Sequence, residues 1–193
     1  MSGIEIGATR RPAAGQTACG DQYVVVRGMG LTTVGVADGL GHGPLAAEAA
    51  EAFCRHVSDH ATDDLEQILW HASEALTSTR GVAAVVLRLD ERTRRLSVSG
   101  VGNIEVRAIA QEPIRPVSVP GIIGRRLRRT KLFEYTVVSG DVIVAFTDGV
   151  SSRFTLETCD GLDVQDVADA VVRDHGKAHD DATCVVLRVG WAE

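Results

Sequence analysis

Five aspartates in this chain stand where apolar, β-branched segments begin or end, and that placement is what suggests chemistry. Asp38 follows Thr33-Val34-Gly35-Val36-Ala37, and Asp148 follows Val142-Ile143-Val144-Ala145-Phe146-Thr147. Asp180 and Asp181 precede the apolar segment 182–189, and Asp21, after Gly20, stands just before Tyr23-Val24-Val25-Val26. Carboxylates at strand ends can converge on one rim of a sheet. Gly39 and Gly149 each follow an aspartate, which lets the backbone turn sharply and brings a main-chain carbonyl near as a further oxygen donor. Such hard oxygen donors suit Mg2+ or Mn2+, whereas the scattered Cys and His residues lack zinc spacing. Taken singly, an Asp-Gly pair is an ordinary turn and a doubled aspartate is ordinary solvated surface. Taken together, carboxylates abutting continuous apolar strands would repel one another without a cation.

The elements that must position them can be read from the same sequence. Residues 23–27 and 32–37 predict a hairpin about Gly28-Met29-Gly30, running directly into the glycine-rich turn 38–43. Pro44 then opens a helix over 44–60, with Leu45, Ala46, Ala49, Ala50, Phe53 and Val57 on one face. A second helix is expected from Asp63, with Leu65, Ile68, Leu69, Ala72 and Leu76 on one stripe. Segments 82–89, 94–99 and 104–110 read as an antiparallel meander, with Gly102-Asn103 as a hairpin turn. Two further strands, near 132–138 and 141–147, meet at Ser139-Gly140; a helix over 163–175 and a last strand over 183–189 follow, and the first twenty residues read as a short polar start. Helices are segregated from strands, so the fold class is α+β, with antiparallel sheets covered by helices on their outer faces.

Composition bounds the function. The chain has 193 residues with a net charge of −6, from 26 acidic and 20 basic residues, which disfavours the basic field of a nucleic-acid binder. Aromatics are only 4% of residues, too few for base-stacking platforms. No apolar run approaches the roughly 20 residues needed to span a bilayer, so a cytoplasmic protein with no membrane partner is expected. Cys19, Cys54, Cys159 and Cys184 lie far apart and read as buried thiols. One domain over 1–193 is the default reading.

Gly20-Asp21, Ala37-Asp38-Gly39-Leu40-Gly41-His42-Gly43, Phe146-Thr147-Asp148-Gly149 and Asp180-Asp181-Ala182-Thr183, in this order and spacing, resemble the motifs of the metal-dependent serine/threonine protein phosphatases of type 2C (PPM family). The Asp-Gly-x-Gly-His-Gly form is similar to the bacterial branch that includes SpoIIE, RsbU and RsbX, and the short length is nearest the RsbX type. The resemblance implies a four-layer α/β/β/α sandwich with a two-metal site between its sheets, a third ion being left open. It implies that Asp38 bridges both ions, that the Gly39 carbonyl joins one, and that Asp148 and Asp180 complete the other. Asp181 stands where relatives carry asparagine, and Asp21 would act through water. The implied chemistry is hydrolysis of a phosphoserine or phosphothreonine by metal-activated water. His42 is the nearest candidate general acid, with His179 behind it, although Leu40 fills the slot where animal relatives have their histidine. Implied substrates are phosphorylated STAS-domain proteins of a stress-signalling complex (a stressosome), acted on by a monomer without a regulatory domain. A catalytically weak scaffold that binds a phosphorylated partner and a small-phosphoester hydrolase are the rival readings.

Two features stand outside those motifs. Arg10 and Arg11 are the arginines available near the start for phosphate, or else solvated ends. The run Arg125-Arg126-Leu127-Arg128-Arg129-Thr130-Lys131 is either a solvated edge or a patch that recognises an acidic partner.

Overall fold

The computed structural model describes residues 3–155 and 161–191. Nine strands form two antiparallel sheets among the described residues. One contains β2 (Asp21–Gly28), β3 (Leu31–Gly39), β4 (Val82–Asp90), β5 (Arg95–Val101) and β7 (Leu132–Thr136), hydrogen-bonded in the order β2-β3-β4-β5-β7. The other has the order β1-β9-β8-β6, from β1 (Ile4–Arg11), β6 (Glu105–Ile109), β8 (Val142–Phe146) and β9 (Ala182–Val189). Helices α1 (Pro44–Asp59) and α2 (Leu65–Ala75) cover the first sheet, and α3 (Val164–His175) covers the second.

The apolar residues divide into three buried layers, which is the four-layer α/β/β/α sandwich expected. Val85 and Leu87 of β4 meet Ile143, Ala145, Val185 and Leu187 between the sheets. Their neighbours Ala84 and Val86 point the other way, to Phe53, Val57, Ile68 and Leu69 of the helices. On the far side Val144, Phe146, Cys184 and Val186 pack on Val167, Ala168 and Val171. Central strands covered on both faces lose polar alternation, which is why β4 and β9 read as nearly continuous apolar runs.

Local signals placed the helices well. Pro44 opens α1, and Asp163 caps α3 by accepting from the Gln165 amide at 2.8 Å. The cap of α2 is Asp64, one residue later than expected; its carboxylate accepts from the Glu66 and Gln67 amides. Leu45 is 53% exposed and leaves the apolar face assigned to it, because it sits in the open first turn.

Strand pairing departs from the sequence expectation at three places. The supposed polar start is β1, paired with β9 from Ile4–Val189 to Arg11–Ala182. The meander ends after two strands: β6 leaves β5 and pairs with β8 in the other sheet, so Gly102-Asn103 is a crossing between sheets rather than a hairpin turn. Likewise β7 pairs with β5 and β8 with β9, so the turn at Ser139-Gly140 joins the sheets rather than two paired strands. In the last two cases a neighbour in sequence loses to a strand more distant in the chain.

Cys54 and Cys184 are buried and Cys19 is half-buried; Cys159 lies outside the described residues. Burial pushes the Cys19 and Cys54 thiols up to about 12, which leaves them unreactive near neutral pH. Among the described residues no helix is long and apolar enough to cross a membrane.

Candidate metal centre

The ends of strands from both sheets meet at one edge of the sandwich, and the aspartates come with them. Asp21 and Asp38 are directly paired across β2 and β3, and Asp38 also pairs with Ala83 at the start of β4. From the facing sheet, β8 delivers Asp148 two residues past its end, and β9 is preceded by Asp180 and Asp181. A cleft of about 540 Å3 lies between them, lined by Asp38, Asp148 and Asp180 with Leu40, Gly41, Asn103, Ser118 and the turn Pro120-Gly121-Ile122.

Close backbone packing explains both Asp-Gly pairs. Neither Gly39 nor Gly149 has a positive φ. A Cβ at Gly39 would lie 2.1 Å from the carbonyl oxygen of Ala46 in α1, and one at Gly149 only 1.7 Å from that of Asp181. These glycines are required by close approach, not by turn conformation.

Asp21 is 1% exposed, and its Oδ2 accepts a 2.7 Å hydrogen bond from Thr147 Oγ1. The same hydroxyl accepts from the Thr183 amide at 2.9 Å, so Thr147 clasps the two sheets through the carboxylate. Asp181 is 3% exposed; its Oδ1 accepts from the Ala13 amide at 2.9 Å. Asp21 Oδ1 and Asp181 Oδ2 are both buried with no hydrogen-bond partner. Asp148 is exposed and accepts from Asn103 Nδ2 at 2.7 Å, while Lys177 Nζ donates to its carbonyl. Asp180 is half-buried and accepts from the Asp181 amide at 3.0 Å.

The electrostatics are those of a site lacking counter-charge. Burial, followed by repulsion from Asp21 and Asp148, pushes Asp38 up to about 8. Burial also pushes Asp21 up to about 7 against the Thr147 hydrogen bond, with Asp181 and Asp180 adding repulsion. Asp180 is raised as well, by burial and then by Asp148. Among the described residues no group of three or more His, Cys, Asp or Glu side chains is gathered closely enough to hold a metal ion by itself. Three carboxylates lining an open cleft, with the unpartnered buried oxygens of Asp21 and Asp181 on the residues paired with Asp38 and adjacent to Asp180, fit hard divalent cations that keep several of their own waters.

His42 and His179 are exposed, and neither lines the cleft, although Gly41 does. Arg10 and Arg11 are not free ends: Arg10 Nη1 donates to the Asp21 carbonyl at 3.1 Å and Arg11 Nη2 to the Lys177 carbonyl at 2.8 Å. The roles of Thr147, Asn103 and Lys177 went unread in the sequence. Thr147 alone had a usable signal, a hydroxyl at the end of an apolar strand that needs a partner once buried. Thr147→Val keeps the shape but strips the donor from Asp21 and the acceptor from the Thr183 amide. It is expected to cost about 1–3 kcal/mol in urea unfolding.

A larger groove, about 630 Å3, runs along β6 and shares Gly102, Asn103 and Ser118 with the cleft. No aspartate lines it, so the chemistry belongs to the smaller cleft.

Residues 29–190 match the family described as Stage II sporulation protein E (SpoIIE). The phosphoserine phosphatase RsbX of Bacillus subtilis (strain 168) is 27% identical over 139 residues, covering 71% of this chain and 70% of that protein. A chain from a structure of the bacterial stressosome, a modular system adapted to control secondary messenger signaling, superposes with a TM-score of 0.92 at 29% identity, over 96% of this chain and 99% of that one. RsbX in complex with magnesium gives 0.87 at 23% identity over 97% and 96% of the two chains, which establishes the shared fold.

Proposed function

The chain belongs to the SpoIIE family, and on that premise we propose that it is a metal-dependent protein-serine/threonine phosphatase acting on phosphorylated bacterial signalling proteins. The observation that carries this reading is the set of facing carboxylates Asp38, Asp148 and Asp180 at the cleft, next to Asp21 and Asp181, whose buried oxygens Oδ1 and Oδ2 have no partners. The relatives named above are what connect such a site to phosphoserine and to stress signalling.

In this reading Asp38 and the Gly39 carbonyl would hold the ions from one sheet and Asp148 and Asp180 from the other, with Asp21 and Asp181 in support. Two Mg2+ or Mn2+ ions would supply the Lewis acidity that lowers the pKa of water and neutralises phosphoryl oxygens. The protein's own part is positioning. Thr147 fixes the Asp21 carboxylate and Asn103 fixes that of Asp148, so the carboxylates on opposite sheets are held in register before substrate arrives. The departing serine or threonine oxygen needs a proton, and His42, one residue beyond the cleft-lining Gly41, is the donor this reading assigns. The substrate is inferred to be a phosphorylated STAS-domain protein of a stressosome-type complex, and the enzyme a cytoplasmic monomer whose residues form one catalytic domain.

The direct test is phosphate release from a phosphoserine protein and from p-nitrophenyl phosphate, with Mn2+, with Mg2+ and in EDTA. Metal-dependent release from the phosphoprotein is expected. No turnover of either substrate favours the scaffold reading, and turnover confined to the small ester favours the small-phosphoester hydrolase.

A further inference from the structure

The basic run at 125–131 is fixed beside the cleft by the strand ladder itself. Val82 pairs with Gly39 on one side and exchanges two hydrogen bonds with Ile123 on the other, at 3.0 and 2.9 Å. A tight turn closes there, with the Arg126 amide donating to the Ile122 carbonyl at 2.8 Å. The arginines of the turn are therefore one strand away from the Asp38-Gly39 pair.

Their side chains divide by task. Arg125 is committed to structure, donating to the Thr79 carbonyl at 2.6 Å beyond the end of α2. Lys131 lies over the Phe133 ring at 4.5 Å. Arg126 and Arg128 are exposed, and neither forms an ion pair with a described carboxylate. Both line a trough of about 410 Å3 whose other walls are Pro120, Gly121 and Ile122. Those same three residues line the carboxylate cleft, so trough and cleft are continuous.

We propose that Arg126 and Arg128 dock an acidic segment of the phosphoprotein, adjacent to the phosphorylated residue that enters the cleft. The proposal rests on the phosphatase reading above and adds a substrate preference to it. Two guanidinium groups without ion-pair partners, lining a trough continuous with the cleft, complement carboxylates on an extended segment. The trough offers no aromatic platform on which a nucleobase could stack, which sets an acidic peptide ahead of a single-stranded nucleic acid. In a protein of net charge −6 with aspartates at its cleft, an acidic substrate also needs a local basic guide.

The test compares a fluorescent phosphoserine peptide flanked by Asp and Glu with its twin flanked by Asn and Gln. Wild type and the double variant Arg126→Gln/Arg128→Gln are both assayed with Mn2+. Wild type is expected to favour the acidic twin by about tenfold in kcat/KM at low salt, with the margin shrinking as salt is raised, and the double variant by less than about twofold. Equal use of the twins by wild type, or a preference that survives in the double variant, overturns the docking. Fluorescence anisotropy with the same peptides separates the two claims. Charge-selective binding without metal-dependent turnover overturns the phosphatase reading alone, turnover without charge selectivity overturns the docking alone, and neither overturns both. A single-stranded oligonucleotide that displaces the acidic peptide more effectively than the unlabelled peptide does would also overturn it.

Discussion

Asp38→Asn is expected to abolish metal-dependent phosphate release while making the metal-free protein more stable. Both effects come from one carboxylate. Asp38 faces Asp21 across the β2–β3 pair, and burial with repulsion from Asp21 and Asp148 pushes it up to about 8. An asparagine of the same shape removes that repulsion and the anionic ligand together. The expected loss in kcat/KM is at least about a thousandfold, or about 4 kcal/mol of transition-state stabilisation. Thermal unfolding in EDTA at pH 8 should move up by roughly 2–8 °C, as expected for one or two kcal/mol in a domain of this size.

The same charges give the wild-type protein a defined pH dependence without metal. With Asp38 and Asp21 raised in the folded state, the native protein keeps protons that the unfolded chain has already released. The slope of stability against pH is therefore negative from about 4, where the unfolded carboxylates ionise, up to about 8, where Asp38 does. Melting temperatures in EDTA should fall across pH 5 to 8, Mn2+ should reverse the fall, and Asp38→Asn should flatten it. A wild-type melting temperature independent of both pH and Mn2+ would show that these carboxylates do not share a cation.

Gly149→Ala is the second large effect, and it acts through the backbone. The added methyl carbon would sit 1.7 Å from the Asp181 carbonyl oxygen and 2.7 Å from its carbon, which no side-chain rotation relieves. The turn carrying Asp148 must then move away from the Asp180-Asp181 segment that leads into β9, and the Gly149 carbonyl moves with it from the Lys177 amide it accepts at 2.7 Å. The expected cost is about 3 kcal/mol, a fall of roughly 6–12 °C in Tm, with loss of activity even at temperatures where the variant stays folded. Gly28→Ala is the control, since nothing lies within 4 Å of its added carbon and its φ is not positive; it should stay within about 0.5 kcal/mol of wild type. Equal stability of the two variants would mean that the strand ends approach less closely than described.

Features written in nearby residues were legible from the sequence, and those that depend on distant partners were not. Helices α1, α2 and α3 carry their apolar stripes and caps within a dozen or so residues, so their positions were recoverable to within a residue or two. The aspartates were legible because each abuts an apolar strand, and Asp38, Asp148 and Asp180 do line one cleft. Sheet membership was not. Whether β6 follows β5 or crosses to β8 is decided by which surface buries Val106 and Ala108, and nothing within the segment records that. The strand β1 was missed because Gly7 and two arginines dilute its pattern. Asn103 was read as a turn residue because its partner, Asp148, lies 45 positions away.

The order β1-β9-β8-β6 has a consequence for how the protein comes to life on the ribosome. β9, the latest of the described strands in the chain, is an interior strand, with β1 on one side and β8 on the other. Until β9 emerges, β1 has no partner and β8 is an edge. Contacts as distant as Ile4 with Val189 are the slow, non-local kind. Asp180 and Asp181, which immediately precede β9, complete the edge at which the other carboxylates wait. A nascent chain stalled before residue 180 thus holds all three described helices and the larger sheet but no complete carboxylate edge, so that edge is gained in one step when β9 docks rather than accumulated along the chain.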